Sequence, residues 1–487
     1  MYKTLTTLFV ILLLPILVFA QDDNVLKDFA KRADDVQSVQ VNERLNVVQI
    51  TYDNNSFDLV GVNDQMQVLW RSQFKGYPFK TLKFKGNVIT IASTDYNLSN
   101  GPNNTYNAFL IDITTGKVMV QNQIFSNTDK FSQSLEISTG EGNFCRIVVR
   151  QRAIKRSLFG GITFSRSKII KEENATTDLQ AFELNDKLEV VDLFKPEIDP
   201  GSYMHSTFNN KGNLFISWLD GTTANVYKYE KGKTTASRKI SMNIPILDKE
   251  GEKYQMSFIA SEEDPNVVYT AMIYRNKDKD PELNVGKFDF SNGKPSSVTE
   301  TFIKKDLKKL EKAFVKVNKK ISDPELGLYD IELKYIMEKN GKLVVVTGAR
   351  NGYTYDGIPV IADFALLING YDADLNQKSQ QLMPIKSLNP FLDLYNGYHI
   401  MNDKLYIVAN YTSGTFNSHG QDLGIMDLNT GSWDKMDILS KKHVNNSDFS
   451  GGDGVMWFKD SYIVPYFNPK SAVSLTRSEI TLQLNQY

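Results

Sequence analysis

The sequence is poor in the residues that build metal centres and disulfides. It has one cysteine and four histidines among 487 residues. A single cysteine excludes an intramolecular disulfide and a cysteine-based zinc site. The histidines, at positions 205, 399, 419 and 443, show neither a His-x-His nor an HExxH spacing. We therefore expect no metal ion.

The sequence also lacks an excess of charge and, beyond residue 20, a long apolar run. Its 56 basic and 57 acidic residues give a formal net charge of −1. This balance provides no long-range field that attracts nucleic acid, so we expect no nucleic-acid partner. No later apolar run approaches the roughly 20 residues that span a bilayer. The sequence therefore predicts no transmembrane segment in the mature chain.

Residues 1–20 have the pattern of a secretory signal peptide. Lys3 supplies the positive charge, and residues 8–20 form an apolar run too short to span a bilayer. The small residues Val18 and Ala20 favour cleavage before Gln21, with an uncleaved anchor as the alternative. The pattern predicts export to the periplasm, the cell surface or the medium.

The rest of the sequence repeats a strand pattern. Its 23 tyrosines and 28 phenylalanines against 15 prolines favour strands, and helical periodicity is almost absent. Near-continuous apolar runs, which are typical of strands buried on both faces, recur along the chain. They lie at residues 46–52, 87–92, 143–149, 213–218, 266–271, 342–347, 404–409 and 461–466.

Turns that contain glycine follow the second strand of several units. Gly116, Gly232, Gly293 and Gly431 supply the positive φ that tight hairpins require. These units predict an all-β chain that forms one β-propeller domain over residues 21–487, with eight blades, or seven as the alternative. Pairing an early strand at 36–41 with the last strand at 474–485 would close the ring.

The turns resemble those of the PQQ-like family of β-propeller repeats. Residues 112–117 and 427–431 match its Asp-x-x-Thr-Gly turn, and Trp70 resembles its docking tryptophan. Quinoprotein dehydrogenases of this superfamily use adjacent cysteines and acidic calcium ligands. Because Cys145 is the only cysteine, the resemblance implies a member without the quinone cofactor, and four tryptophans are too few for a full tryptophan girdle.

Single reactive residues are weak candidates in this sequence. Cys145 alternates with Ile147 and Val149, which predicts a buried strand thiol rather than a nucleophile. His419 lies in a polar segment near Asp422, but no partner serine or carboxylate can be assigned to it. We therefore assign no catalytic residue.

A basic segment at 150–175 is the strongest candidate for partner binding. Gly160 and Gly161 predict a hairpin tip with apolar neighbours and basic arms, and no acidic residue lies between 146 and 171. A solvated long hairpin is the alternative. The predicted contact residues are Arg150, Arg152, Lys155, Arg156, Leu158, Phe159, Phe164, Arg166 and Lys168.

A second basic segment predicts an inserted amphipathic helix at residues 302–320. Its apolar residues follow alternating spacings of four and three, and lysines occupy most other positions. Such a helix can lie on a membrane surface, but we expect it to pack on the outside of the propeller.

These patterns predict an exported, non-catalytic binding or assembly scaffold for an envelope or extracellular protein, or for a glycan. Insertions such as 150–175 and 349–362 are expected to project from one rim of the ring. The alternative is a secreted polysaccharide hydrolase or lyase, which needs paired carboxylates. Paired carboxylates with aromatic residues in the central funnel would favour this enzyme. A narrow or basic funnel would favour the scaffold. The candidate carboxylates are Asp330, Asp356, Asp363 and Asp453.

Overall fold

The computed structural model describes most of the chain from residue 24 onwards. The described residues are 24–52, 55–93, 96–97, 101–102, 104–127, 131–153, 176–198, 202–220, 222–244, 254–274, 281–301, 330–355, 358–389, 396–412, 419–437, 449–450, 452–468 and 478–487. Within these ranges the only helical elements are two 3-10 turns, Gly140–Gly142 and Gly452–Gly454. The signal peptide predicted at 1–20 and the helix predicted at 302–320 lie outside the described residues.

Strands make up almost all of the described chain. In chain order they are β1 (Val25–Asn42), β2 (Leu45–Tyr52), β3 (Ser56–Asn63), β4 (Val68–Lys75), β5 (Tyr77–Phe84), β6 (Asn87–Ser93), β7 (Tyr96–Asn97), β8 (Gly101–Pro102), β9 (Asn104–Ile111), β10 (Val118–Asn127), β11 (Phe131–Ser138), β12 (Arg146–Ala153), β13 (Thr176–Leu184), β14 (Val190–Phe194), β15 (Ser202–Phe208), β16 (Leu214–Asp220), β17 (Thr223–Tyr229), β18 (Arg238–Asn243), β19 (Tyr254–Ala260), β20 (Val267–Tyr274), β21 (Glu282–Asp289), β22 (Lys294–Thr301), β23 (Asp330–Lys339), β24 (Lys342–Tyr355), β25 (Ile358–Asp372), β26 (Gln377–Asn389), β27 (Gly397–Met401), β28 (Lys404–Thr412), β29 (His419–Asp427), β30 (Trp433–Asp437), β31 (Phe449–Ser450), β32 (Met456–Trp457), β33 (Ser461–Asn468) and β34 (Ser478–Gln486).

The strands form antiparallel units that follow each other along the chain. Four separate sheets have four strands each: β5, β6, β9 and β10; β11 to β14; β15 to β18; and β19 to β22. Two longer sheets have eight strands each, one from β23 to β30 and the other joining β31 to β34 with β1 to β4. In the first of these, β26 and β28 share a single parallel pairing, Lys386 with Tyr411.

Strand β1 connects the two ends of the chain. Its first part pairs with β34, from Val25 opposite Gln483 to Ala33 opposite Ser478. Its second part pairs with β2, and this part contains residues 36–41. The predicted closure between an early strand and the last strand is therefore confirmed. The closing segment is the stretch before residue 34, because residues 36–41 pair with their own neighbour in sequence.

Hydrophobic clusters fill the space between consecutive units. Val47 and Val48 are adjacent on β2, yet they belong to different clusters, because neighbouring strand residues point to opposite faces. Val47 packs towards Val88 of β6, and Val48 packs towards Ile463 of β33. Sheets buried on both faces and arranged in a closed succession form a β-propeller, which confirms this part of the prediction.

Short turns meet at one face of the ring, which we call the turn face (residues 43–44, 85–86, 139–143, 209–213, 261–266, 340–341, 402–403 and 459–460). These turns join the inner strand of each unit to its second strand. They bond to each other from unit to unit. The bonds include Lys85 N–H to the Gly142 carbonyl at 2.6 Å, Asn209 Nδ2 to the Pro265 carbonyl at 2.5 Å, Asn340 Nδ2 to Asp403 Oδ1 at 3.0 Å and Lys459 N–H to the Glu43 carbonyl at 3.3 Å.

The opposite face, the loop face, receives the connections between second and third strands and between successive units. Residues 154–175 and 302–329 are two of these connections, and both lie outside the described residues. Strands β24 and β25 stay paired as far as Tyr355 and Ile358. This long hairpin confirms the extension that we predicted at residues 349–362.

The outer strand of one unit docks on a turn of the next unit. Asp112 Oδ1 shapes one such turn by accepting the backbone N–H groups of Thr114 and Thr115 at 2.9 and 2.8 Å. Hydrogen bonds, first from the Thr114 hydroxyl, lower the pKa of Asp112 to about 2. The docking donors are Trp70 Nε1 to the Ile113 carbonyl at 2.7 Å, Arg238 Nη1 to the Phe290 carbonyl at 2.5 Å and Gln381 Nε2 to the Gly431 carbonyl at 2.7 Å.

Candidate functional site: the central channel

The inner strands of the units surround a central channel. Two adjoining cavities of about 560 and 930 Å³ occupy it, and both are lined by Ser38, Val39 and Asp453. Strands β1, β5, β11, β15, β19, β23 and β27 and the second 3-10 turn contribute lining residues. Both volumes lie in the range of about 300–1,000 Å³ that is typical of small-ligand sites.

Aromatic pairs line the smaller cavity, which we call the aromatic cavity. Tyr335 stacks on Tyr398 with ring centroids 5.1 Å apart, and His399 stacks on Trp457 at 5.5 Å. Burial, together with the charge of Lys339, lowers the pKa of His399 to about 4. The imidazole is therefore neutral at physiological pH and acts as a flat polar ring.

Polar side chains of the same cavity are positioned by backbone groups. Ser38 Oγ donates to the Val455 carbonyl at 2.6 Å, and Gln40 Nε2 donates to the Trp457 carbonyl at 3.0 Å. Asn396 Oδ1 accepts the Asn410 N–H at 3.2 Å. These bonds tie the inner strands to each other and fix hydroxyl and amide groups at the cavity wall.

Asp453, which lines the channel, interacts electrostatically with Asp35 of β1. Burial and the nearby charge of Asp35 raise the pKa of Asp453 to about 6, and Lys80 partly offsets this rise. Burial also raises the pKa of Asp35, although Gln37 Nε2 donates to its carboxylate at 3.0 Å. This pair places a carboxyl group that titrates near neutral pH beside the aromatic rings.

Only part of this arrangement was anticipated from the sequence. Asp453 lies in the channel as predicted, whereas Asp363 is held by Arg350 Nε at 3.0 Å. The side chain of Asp330 and the whole of Asp356 lie outside the described residues. Asp35, which raises the pKa of Asp453, was not anticipated, because the sequence pattern does not show which carboxylates come close together in space.

Other inner-strand carboxylates join neighbouring units. Glu136 of β11 accepts the Ser206 N–H of β15 at 2.5 Å. Glu338 of β23 accepts the Ser261 hydroxyl at 2.9 Å and the Glu262 N–H at 2.7 Å. Because these carboxylates bond to the neighbouring unit, they stabilise the ring, and Glu136 also lines the larger cavity.

An ion-pair bridge crosses the channel at the turn face. Lys339 pairs with Glu141, which is 198 positions away in the chain, and lies 3.7 Å from Glu262. Burial lowers the pKa of Lys339, but the two glutamates raise it overall. The bridge connects the units that contain β11, β19 and β23, so side chains narrow this mouth of the channel.

The predicted partner-binding residues fall mostly outside the described part of the chain. Arg150 lies in β12 with 9% of its surface exposed. Nothing is described of the side chains of the other eight: Arg152, Lys155, Arg156, Leu158, Phe159, Phe164, Arg166 and Lys168. Their role in partner binding stays a prediction.

Cys145 is buried, as the alternation of its strand predicted. Burial and the charge of Glu183 raise the pKa of its thiol to about 12, which removes its nucleophilic character at neutral pH. The side chain of His419 lies outside the described residues. Across the ranges given above, no group of three or more metal-binding side chains occurs, and no helix is long and apolar enough to cross a membrane.

Comparisons with known proteins find similarity only among solved structures. No family model and no curated protein matches the sequence. The Dos1 propeller is similar with 12% identity and a TM-score of 0.43, covering 84% of this chain and 82% of that one. The WD40 domain of SCAP from fission yeast is similar with 8% identity and a TM-score of 0.43, covering 96% of this chain and 99% of that one. The polysaccharide lyase Uly1 has 11% identity and a TM-score of 0.41, covering 93% and 99%. The propeller assignment here rests on the sheet topology.

Proposed function

We propose that the ring has eight blades. Each eight-stranded sheet divides into two units of four, one at the single pairing between β26 and β28 and the other within β1. We also propose a relationship to PQQ-like repeats, which the turns at Asp112 and Asp427 support. Asp427 Oδ1 accepts the N–H groups of Asn429 and Thr430 as Asp112 does in its own turn.

We propose that the protein is an exported, non-catalytic binding or assembly scaffold for envelope or extracellular partners. The difference between the two faces carries this proposal. The turn face consists of short turns that bond to one another, whereas the loop face receives the long connections 154–175 and 302–329. Long connections on a rigid scaffold are the usual carriers of binding function, and 154–175 is strongly basic.

A deletion tests this proposal directly. We would replace residues 154–168 of the mature chain with an Asn-Gly turn and use the protein as bait in envelope extracts. Strands β12 and β13 already pair from Arg146 with Glu183 to Arg152 with Thr176, so the blade should keep its fold. We expect an unchanged melting temperature and loss of the partners that the full chain recovers.

The hairpin of β24 and β25 provides the matched control. Replacing residues 353–360 with the same turn shortens another projection of the loop face, and this segment contains no Lys or Arg. The control should keep its partners. Partner recovery that survives the 154–168 replacement, or unfolding caused by it, would contradict the proposed contact surface.

A polysaccharide-active enzyme is the second candidate, because Asp453 lines the channel beside aromatic rings and interacts electrostatically with a second carboxylate, Asp35. A carboxyl group with a pKa of about 6 can act as a general acid near neutral pH. The test is release of reducing ends or unsaturated products from a panel of polysaccharides, with Asp453→Asn as the inactive variant. Absence of product from every polysaccharide, or full activity of this variant, would reject the enzyme.

A further inference from the structure

We propose that a groove on the outer wall of the ring binds an extended, acidic peptide segment of a partner protein. The groove lies between β4, the outer strand of its unit, and β10, the outer strand of the following unit. It is separate from residues 154–175, so this inference does not rest on the loop-face contact proposed above. The shape of the groove, a free strand edge, exposed apolar side chains and unpaired lysines together carry it.

The groove has an aromatic floor and two strand walls. Phe74 and Phe109 form the floor, where their rings meet edge to face with centroids 5.4 Å apart. Ser72 Oγ donates to the Gly116 carbonyl at 2.6 Å and joins the two walls at one end. The cavity has a volume of about 660 Å³. Residues 72–75 of β4 line it, which corresponds to a length of about 13 Å for an extended chain.

The free edge of β4 favours an extended occupant. Strand β4 pairs with β3 on one side, and across the described residues no strand pairs with its other side. The backbone N–H and C=O groups along this edge can therefore bond to a strand from another molecule. A strand added to β4 would direct every second side chain towards the β10 wall, because successive strand residues point to opposite faces.

Exposed apolar side chains concentrate beside this groove. Of the seven large hydrophobic residues that are exposed in the described ranges, four lie at the starts of β4 and β10: Val68, Leu69, Val118 and Met119. Val118 lines the groove itself, and 44% of its surface is exposed. Covering it removes apolar surface from water, so we expect the occupant to carry apolar side chains at alternate positions.

Charge defines the remaining side chains of the occupant. Lys75 and Lys117 line the groove, no carboxylate lines it, and within the described part of the chain neither lysine has an ion-pair partner. Asp112 of the adjoining turn is engaged by backbone N–H groups of that turn. Several lysines of other units do pair with carboxylates: Lys231 with Asp192, Lys287 with Asp374, Lys378 with Asp372 and Lys404 with Asp434. Two unpaired cations in a groove without carboxylates favour an acidic segment.

Binding of synthetic peptides to the mature full-length chain tests the proposal. The probes are fluorescently labelled eight-residue peptides with blocked ends, in which valine alternates with glutamate, serine or lysine. Each is titrated by fluorescence anisotropy at low and at high salt. We expect the glutamate peptide to bind at least tenfold more tightly than the serine peptide at low salt, and this preference to shrink at high salt because ions screen exposed charges. Equal binding of the three peptides, or no binding of the glutamate peptide, would overturn the proposal.

Substitutions of exposed residues locate the bound peptide. Lys75→Glu combined with Lys117→Glu should weaken binding of the glutamate peptide at least tenfold. Lys294→Glu is the matched control, because Lys294 also follows a glycine turn at the start of an outer strand and lies outside the groove. Val118→Ser should weaken binding about fivefold, whereas Leu193→Ser, at an exposed position of β14 outside the groove, should not. Unchanged binding by the double lysine variant would overturn the assignment to this groove.

Peptides methylated at alternate backbone nitrogens test the addition of a strand. An added strand directs every second N–H towards β4, so methylation of one set should abolish binding and methylation of the other set should not. Equal affinities of the two methylated peptides would overturn strand addition. A dimer of the chain that the double lysine variant abolishes in sedimentation would replace the peptide by a second copy as the occupant. The 154–168 replacement should bind the glutamate peptide like the full chain, so failure of this proposal is distinguishable from failure of the loop-face contact.

Discussion

Deleting residues 479–487 should prevent the ring from closing. These residues form nearly all of β34, which pairs with β33 on one side and with the first part of β1 on the other. Without β34, two apolar strand edges lose their partner at the point where the ends of the chain meet. Unpaired edges of this kind template association with other chains.

The burial of β34 gives the magnitude of the loss. Ile480 and Leu482 are both 0% exposed, and truncating each to alanine costs about 2–5 kcal/mol. Together they contribute about 4–10 kcal/mol, which is most of the roughly 5–15 kcal/mol by which a folded protein is stable. We therefore expect the shortened chain to aggregate or to melt far below the full-length protein.

Size-exclusion chromatography and calorimetry measure this effect, and single substitutions control it. Leu482→Ala should lose about 2–5 kcal/mol of unfolding free energy. Thr481→Ala changes a neighbouring, only partly buried residue and should lose about 0.5 kcal/mol. A shortened chain that stays monomeric with an unchanged melting temperature would refute the role of β34 in closure.

Three further predictions concern the termini, the docking contacts and the channel. N-terminal sequencing of the exported protein should begin at Gln21, and a chain that begins at Met1 would contradict the signal peptide. Trp70→Ala should cost about 3–5 kcal/mol in urea denaturation, since Trp70 is 8% exposed. Trp70→Phe keeps a ring and loses the bond to Ile113, so it should cost about 1 kcal/mol for that bond. Equal losses of unfolding free energy in Trp70→Ala and Trp70→Phe would show that the ring contributes nothing. In the native protein Asp453 holds its proton up to about pH 6, whereas the unfolded chain loses it near pH 4, so its contribution to stability is present below about pH 4 and is lost as pH rises towards 6. Asp453→Asn should therefore reduce the change in melting temperature between pH 4 and pH 6. A melting temperature that depends on pH as in the unmodified protein would exclude Asp453 as the cause of that change.

The buried second strand of each unit could be identified from sequence, because it is the most apolar. Residues 267–274 of β20 are all buried, since this strand has a neighbour on each side and a hydrophobic cluster on each face. Inner strands could not be identified as readily. His205 and Ser206 of β15 line the channel, and a short segment with polar residues at successive positions has the sequence pattern of a loop. The channel site was consequently anticipated only at Asp453, and its aromatic lining was not.

The docking contacts explain why the repeat signal is weak although the geometry recurs. A carboxylate that accepts N–H groups and a glycine at positive φ are both needed to form the turn, so Asp112 and Gly116 are tightly constrained. A Cβ at Gly116 would lie 2.4 Å from the Trp70 ring, which adds a second constraint. The docking side chain needs only an N–H donor that reaches a carbonyl, and Arg238 and Gln381 meet this need as well as an indole does. Selection for the contact therefore fixes the turn more than the residue docked on it. A propeller can for this reason keep its blade-to-blade contacts with four tryptophans in the whole chain.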